Sequence, residues 1–316
     1  MSTQHKENCQ LPIADCKLIF LGTNGWYDTP TGNTICILIE TKEASIILDA
    51  GNGLYKADQY IGKDKPVHLF LSHTHLDHII GLHILAKFNF QQGLTIHTQP
   101  GTKAALQTIF TIPYTLPFAN LPYPVEIEEF DGLYKNQHFE VQTAAMHHSV
   151  PTIGFRINIK NKIITYCPDT GYCQNAVKLA RNADVLIAEC AFRPGEQNEN
   201  WPHLNPETAA QIAQEAQAKQ LALIHFDASR YPTIESRQKA QQTAQTIFQN
   251  TIATTDEQII VIDKTEPTAF TQHSALSTQH SLGSEQDFKS IGLASFFDTS
   301  EDNNLDWEDM FDVKFL

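Results

Sequence analysis

Short apolar runs, many of them rich in β-branched residues, recur along the chain between turn residues and amphipathic stretches. This pattern predicts strands interspersed with helices. The predicted strands are residues 17–21, 34–40, 44–48, 67–71, 94–97, 139–145, 153–159, 162–167, 185–189, 221–224 and 258–262. The predicted helices are residues 79–88, 101–110, 175–181, 205–220 and 233–250. Because strands and helices alternate only in part, we expect an α/β fold in which two mixed sheets pack together with helices outside, an αββα sandwich.

One segment, residues 112–124, carries four prolines among several aromatic residues. Proline lacks a backbone donor and fixes φ, so we expect no regular structure there. The aromatic side chains are compatible with a lid over a pocket and equally with a packed loop.

The segment His73-Thr74-His75-Leu76-Asp77-His78 places three histidines and an aspartate within six residues, between a predicted strand and a predicted helix. Imidazole and carboxylate groups are the usual ligands of zinc and related metals. His73 and His75 alternate, so they face the same way in an extended loop, whereas Asp77 and His78 follow as the helix begins. The loop therefore predicts ligands for two adjacent metal ions.

Several other predicted strands are followed directly by an ionisable residue. These residues are His148, Asp169, Glu189 and His225. A lone histidine in such a place is usually structural, but the recurrence beside a metal loop favours ligands. Asp49, at the end of strand 44–48, is either a turn former or a buried acceptor that orients a ligand histidine.

Composition limits the class of protein. The 316 residues are 41% hydrophobic and 18% charged, which is enough for a sizeable core. The formal net charge is -14, and residues 266–316 contribute -8 of it through ten acidic residues and two lysines. This balance excludes the strongly basic footprint of a general nucleic-acid binder and leaves a local basic patch on the body open.

The six cysteines are scattered without paired metal spacing, and the N-terminus lacks the apolar run of a signal peptide. No apolar run approaches the length of a membrane span. We therefore expect free thiols in a cytoplasmic protein that has no membrane partner.

The HxHxDH loop resembles the signature of metallo-β-lactamase fold hydrolases. Further motifs resemble the ribonuclease Z-like branch of that fold, in the same order, over residues 17–263. They are Leu21-Gly22-Thr23-Asn24-Gly25, His148 six residues before Gly154-Phe155-Arg156, Asp169-Thr170, Ala188-Glu189-Cys190-Ala191-Phe192, and His225 followed by Ser229-Arg230-Tyr231.

The resemblance implies a centre with two divalent metal ions, zinc or alternatively manganese. The implied ligands are His73, His75 and His148 for one ion, Asp77, His78 and His225 for the other, and Asp169 between them. The spacing to Gly154 favours His148 over its neighbour His147. The resemblance also implies Glu189 and His203 as a proton-relay pair and Asp49 as a buried supporting aspartate. Asp77 counts as catalytic too, because its loss should remove the second metal.

The activity implied is hydrolysis of a phosphodiester by a hydroxide that bridges the metals, with a small phosphodiester or nucleotide-like substrate. True ribonuclease Z carries a long arm that grips transfer RNA. In the common bacterial form this arm lies between the segments matching Arg156 and Asp169. Here one tight hairpin fills that interval. A tRNA 3′-end endonuclease therefore remains an alternative, as do a lactonase, another ester hydrolase, and a non-enzymatic sensor or scaffold with a relict site.

We expect three segments: an N-terminal extension at residues 1–16, a hydrolase domain at residues 17–265, and an acidic tail at residues 266–316. Residues 271–286 have the composition of a linker. Beyond them, Trp307, Met310, Phe311 and Phe315 would share one helical face. The tail is either disordered or a short motif, within residues 291–316, that docks a protein partner or the body itself. A homodimer is also compatible with this chain.

Overall fold

The computed structural model describes residues 16–262. Nearly all of the predicted N-terminal extension and the whole acidic tail lie outside the described residues. The strands are β1 (Cys16–Gly22), β2 (Asn24–Gly25), β3 (Cys36–Thr41), β4 (Ser45–Leu48), β5 (Val67–Phe70), β6 (Leu94–Thr98), β7 (Val125–Glu129), β8 (Leu133–Lys135), β9 (Glu140–Ala145), β10 (Ile153–Ile159), β11 (Lys162–Cys167), β12 (Val185–Glu189), β13 (Leu221–Ile224), β14 (Phe226–Asp227), β15 (Thr251–Ala253) and β16 (Ile259–Val261).

The α-helices are α1 (Leu76–Ile79), α2 (Thr102–Ile109), α3 (Gln174–Leu179), α4 (Pro206–Glu215) and α5 (Ile234–Gln245). Segments Asn52–Gln59, Ile80–Lys87 and Phe118–Asn120 form 3₁₀ helices. None of the helices within residues 16–262 is long and apolar enough to cross a membrane.

Two seven-stranded sheets form the body of the fold. The first has the order β16-β1-β3-β4-β5-β6-β7 and the second has the order β15-β13-β12-β11-β10-β9-β8. Each sheet is mixed: β4 to β7 run parallel in the first, and β11, β12, β13 and β15 run parallel in the second. The expected pair of mixed sheets is therefore confirmed.

Three layers of buried side chains hold the sheets and helices together. The central layer lies between the sheets and includes Leu18, Phe20 and Ile157. An outer layer joins the first sheet to the 3₁₀ helices and α2, and it includes Ile19 from β1. A second outer layer joins α3, α4 and α5 to the second sheet. Alternate residues of β1 thus enter different layers, so the strand is apolar throughout and the αββα arrangement is confirmed.

The predicted helix at residues 79–88 is wrong in type. The chain forms one α-helical turn and then the 3₁₀ helix Ile80–Lys87. Its backbone bonds partly to a neighbouring loop, because Gly81 N donates to Ala50 O and Ala50 N donates to His78 O. This close approach holds the metal loop against the end of β4.

Other differences lie at element ends and in polar strands. The sequence analysis missed β7, β8 and β15, which are short and carry few strongly apolar residues. It also ran α4 on to residue 220, whereas α4 ends at Glu215 just before Gln217 adopts a φ of 55°. The N-cap at Asn205 is confirmed, since its side chain accepts from Thr208 N.

Residues 112–124 form a packed loop and not a lid. Tyr123 is buried, and its hydroxyl donates to Leu85 O at 2.7 Å. Phe118 and Leu121 also pack against the outer layer of the first sheet. The ends of this loop leave Ile112 and Tyr114 exposed.

Candidate metal centre

Parallel strands bring the predicted site residues to one edge of each sheet. His73 follows β5 in the first sheet, while Asp169 and His225 follow β11 and β13 in the second. Glu189 is the last residue of β12, which lies between β11 and β13. Because parallel neighbours end at the same edge, these side chains converge there, as the recurrent polar strand ends predicted.

Four residues form the first cluster: His73, His75, His148 and Asp169. Each offers one ligand atom, and these atoms all lie within 4.8 Å of one another. His148 Nε2 is 3.4 Å from His75 Nδ1 and 3.8 Å from Asp169 Oδ2. His147, the competing neighbour, is exposed and belongs to none of the clusters among the described residues.

Asp77, His78 and His225 form the second cluster, again within 4.8 Å. His225 Nε2 is 3.2 Å from His78 Nε2 and 3.3 Å from Asp77 Oδ2. Asp169 reaches this cluster through its other oxygen, since Oδ1 is 3.1 Å from His78 Nε2 and 3.2 Å from His225 Nε2. The Asp169 carboxylate therefore lies between the two clusters and presents one oxygen to each.

Buried polar atoms in both clusters lack hydrogen bonds of their own. His73 Nε2 and Asp169 Oδ1 are buried and have no hydrogen-bond partner among the described residues. The opposite nitrogen of His73, Nδ1, lies 2.9 Å from Ser72 Oγ, so the ring can direct a lone pair from Nε2 into the cluster. Buried polar atoms are normally satisfied, so this arrangement indicates a binding partner at the centre.

The protonation states of the clusters also suit a cation. Burial lowers the pKa of His73 well below its usual value and that of His148 to about 4, so both rings are neutral at pH 7. Burial raises the pKa of Asp77, but His78 and His225 outweigh it and hold that pKa well below its usual range. Neutral imidazoles and ionised carboxylates are the ligand forms that bind divalent metals, so the residues present fit such ions.

Asp49 supports the clusters from behind. Its carboxylate accepts hydrogen bonds from Ser72 N at 2.7 Å, from Ser72 Oγ at 2.8 Å, from His78 Nδ1 at 2.8 Å and from Tyr166 Oη at 2.7 Å. Asp49 is fully buried, with a φ of 55°. The structure thus decides for the buried acceptor over the plain turn former.

Glu189 and His203 form a hydrogen-bonded pair beside the clusters. His203 Nδ1 donates to Glu189 Oε1 at 2.7 Å, and the same carboxylate accepts from Thr170 N and Ala191 N. Burial opposes protonation of His203, but the Glu189 carboxylate outweighs it and raises the pKa of His203 to about 9. A ligand atom of His203 also lies within 4.8 Å of those of Asp169 and His225.

A cavity of about 480 Å³ opens over the second cluster. Its lining includes three exposed or half-exposed apolar residues that the sequence analysis did not select: Trp26, Leu76 and Trp201. Trp26 N donates to Asp77 Oδ2 at 2.7 Å, which ties the loop after β2 to a cluster residue. No pattern in the sequence marks these residues, because they belong to neither a strand nor a repeated motif.

The Ser229-Arg230-Tyr231 motif builds the wall behind this cavity. Arg230 Nη1 donates to Asp227 Oδ2 at 2.8 Å, and its Nε contacts Glu196 at 3.2 Å. Tyr231 is buried, and its hydroxyl donates to Phe192 O. The motif therefore fixes the loop after β13, next to His225.

Comparisons with known proteins agree with this geometry. The ribonuclease Z of Enterococcus faecalis is 29% identical to this chain, in an alignment that covers 77% of this chain and 96% of the relative. The ribonuclease Z of Bacillus velezensis is 26% identical and covers 78% of this chain and 99% of the relative.

Solved structures share the fold at lower identity. The metallo-beta-lactamase fold protein YhfI from Bacillus subtilis matches with a TM-score of 0.66 at 22% identity, over 78% of this chain and 98% of that one. The short form of human tRNase Z matches with a TM-score of 0.62 at 20% identity, over 77% of this chain and 98% of that one.

A family model described as the beta-lactamase superfamily domain matches residues 45–226, which is more than half of the chain. That range contains every residue of both clusters, together with Asp49, Glu189 and His203. The predicted metallo-β-lactamase fold is thereby confirmed, and a centre for divalent metal ions is in keeping with it. The chain belongs to the beta-lactamase superfamily domain family.

Proposed function

We propose that this chain is a metal-dependent hydrolase that cleaves a phosphodiester with two divalent metal ions, zinc or alternatively manganese. The observation that carries the proposal is the position of Asp169, whose two oxygens face different clusters. The proposed ligands are His73, His75 and His148 for one ion, Asp77, His78 and His225 for the other, and Asp169 for both. Relatives named ribonuclease Z support the phosphodiester class.

Bound divalent ions in such a centre supply Lewis acidity toward phosphoryl oxygens and lower the pKa of water. The residues of the chain supply the remaining functions. Asp49 fixes the orientation of His78, and Ser72 fixes that of His73, so both rings keep one nitrogen directed into the centre. Glu189 and the walls of the cavity exclude water from one side of the substrate.

His203 is the proposed proton donor to the leaving oxygen. Its Nδ1 is held by Glu189 Oε1, which leaves Nε2 free to face the substrate from a position next to Asp169 and His225. A carboxylate behind an imidazole both orients the ring and favours its charged form. The proton would pass from His203 Nε2 to the departing oxygen as the bond to phosphorus breaks.

The proposed substrate is a small phosphodiester or a nucleotide-like compound. Strands β10 and β11 are joined by a turn at Lys160 and Asn161, both with positive φ, so the hairpin between Arg156 and Asp169 is confirmed as tight. The alignment with the Bacillus velezensis relative spans 311 positions, whereas 78% of this chain amounts to fewer residues, so the relative holds segments that this chain lacks. The acidic charge of the chain also disfavours a large RNA.

A side-by-side assay of the purified full-length protein tests the proposal. The substrates are bis-p-nitrophenyl phosphate, a 2′,3′-cyclic nucleotide, an RNA with a 3′ extension and a lactone. We expect hydrolysis of the phosphodiesters, loss of activity with a chelator, and recovery with zinc or manganese. Turnover of the lactone alone would contradict the proposal. A strong preference for the extended RNA would instead identify the tRNA 3′-end endonuclease.

A further inference from the structure

Two tryptophans are exposed in the lining of the cavity. Trp26 is 62% exposed and Trp201 is 36% exposed, and Leu76, 60% exposed, lies in the same lining. Large apolar side chains that gather at a concave site usually mark a place where a ligand binds. Neither tryptophan is required for the proposed metal chemistry.

Trp26 has a backbone conformation that its own packing does not explain. Its φ is 75°, in the left-handed region that bulky side chains seldom adopt. The hydrogen bond from Trp26 N to Asp77 Oδ2 holds the backbone there. Among the ring contacts of residues 16–262, the indole packs only against the edge of Tyr27, with centroids 5.3 Å apart. The strained backbone therefore places an aromatic ring at the mouth of the cavity instead of burying it.

Trp201 is fixed beside the proposed proton donor. Its ring centroid is 4.7 Å from that of His203 and 5.8 Å from that of Phe192, both in edge-to-face geometry. The Arg230 guanidinium lies 5.4 Å from the Trp201 ring. Arg230 is already paired with Asp227 and Glu196, so it anchors the ring and is not free to bind an anion.

The rest of the lining favours ring stacking over recognition of further phosphates. In the part of the chain that the structure describes, this cavity is lined by neither lysine nor arginine. Its charged members are histidines and aspartates, and apart from Asp227 and His203 these are the proposed metal ligands. A substrate that extends beyond the metal centre therefore meets aromatic and aliphatic surface, to which flat apolar rings bind well.

We infer that Trp26 and Trp201 form an aromatic subsite that stacks a nucleobase carried by the substrate next to the scissile phosphate. This inference rests on the proposed function, because it names the group that the phosphodiester bears. Stacking of one base on an aromatic side chain corresponds to about a 5- to 150-fold effect when that side chain becomes alanine. The enzyme should therefore prefer nucleotidyl esters over simple alkyl esters.

The test compares two diesters that share a leaving group: thymidine 5′-monophosphate p-nitrophenyl ester and methyl p-nitrophenyl phosphate. We expect Trp26→Ala and Trp201→Ala each to lower the ratio of kcat/KM for the thymidine ester over the methyl ester by about 5- to 150-fold, mainly through KM. Trp26→Phe and Trp201→Phe should retain most of the ratio, because phenylalanine also stacks. Tyr114→Ala is the matched control: Tyr114 is 77% exposed, lies outside the cavity lining, and its loss should leave the ratio unchanged.

Fluorescence provides a second readout that does not depend on turnover. In the metal-loaded full-length protein with Trp307→Phe, only Trp26 and Trp201 remain to emit as tryptophans. Added thymidine 5′-monophosphate should quench this emission with saturation, and either alanine variant should weaken the binding.

Each outcome decides the inference. Equal losses on both esters, or unchanged ratios in both alanine variants, would overturn the aromatic subsite. Failure of the wild-type protein to cleave either ester would count against the proposed function. In that case the fluorescence titration still decides: saturable quenching that depends on the tryptophans supports stacking, and its absence overturns the subsite.

Discussion

The Asp49 carboxylate lies 2.8 Å from His78 Nδ1, and this contact turns the opposite nitrogen of the ring toward Asp169. Asp49 also accepts from Ser72, whose hydroxyl is in turn 2.9 Å from His73 Nδ1. One buried carboxylate therefore orients a histidine of each cluster, which makes it a specific target for testing the centre.

Replacing Asp49 with asparagine should weaken metal binding about 10- to 100-fold, because the variant loses the charged acceptor that orients His78. Equilibrium dialysis with metal analysis would measure this. Asp184→Asn is a suitable control, since Asp184 accepts from Ile163 N at the opposite end of β12. Unchanged affinity in the Asp49 variant would mean that the rings need no support.

Gly25 borders His225 so closely that it cannot carry a side chain. A Cβ built on Gly25 would lie 2.5 Å from His225 Cε1. Gly25→Ala should displace the ring, and we expect loss of one metal ion per chain and at least about a tenfold fall in kcat/KM. Gly62→Ala provides the comparison, because the nearest atom to its Cβ is 3.5 Å away. Wild-type metal content in Gly25→Ala would argue against His225 as a ligand.

His203→Asn separates proton donation from metal binding. For a diester with an alkyl leaving group, we expect kcat to fall about 10²- to 10⁴-fold, because the departing alkoxide needs a proton. With p-nitrophenolate as the leaving group the loss should be small, since that anion leaves without one. Metal analysis checks the alternative role, and a lost ion in His203→Asn would show that His203 is a ligand.

Stability should fall in mild acid because of a second, separate pair of histidines. His68 Nδ1 lies 2.9 Å from His97 Nε2 in the buried layer between the sheets. Burial lowers the pKa of His68 to about 4 and that of His97 to about 3. The unfolded chain takes up these protons below pH 6.5 and the folded chain does not, so the free energy of unfolding declines between pH 6.5 and about 4.

The expected loss from this pair is about 1 to 3 kcal/mol. Urea unfolding at a series of pH values would measure it, in the wild type and in a His68→Leu/His97→Leu double variant. The double variant should show a shallower decline over this pH range. The same slope in both proteins would assign the acid sensitivity to other groups.

Much of the fold was predictable because its strands are buried on both faces. Runs such as residues 185–189 and 221–224 are apolar throughout, and each gave a strand with bounds close to those observed. β7 and β8 were missed because a strand at a sheet edge can be short and polar. The 3₁₀ form of Ile80–Lys87 depends on bonds to Ala50, a distant residue that local periodicity does not reveal.

The candidate site was predictable to a similar degree. The HxHxDH loop and the polar strand ends pointed to the residues that the structure brings together. The cavity wall was not predictable, because Trp26 and Trp201 reach it through irregular loops. Asp49 was ambiguous from local sequence alone, since an aspartate before glycines suits a turn as well as a buried acceptor.

Anomalous diffraction from crystals of the metal-loaded protein tests the central claim most directly. Data collected on both sides of the metal absorption edge should show two strong peaks per chain, one among His73, His75 and His148 and the other among Asp77, His78 and His225. Asp169 should lie between the peaks and contact both. A single peak, or two peaks of which Asp169 contacts only one, would contradict the proposed dinuclear centre.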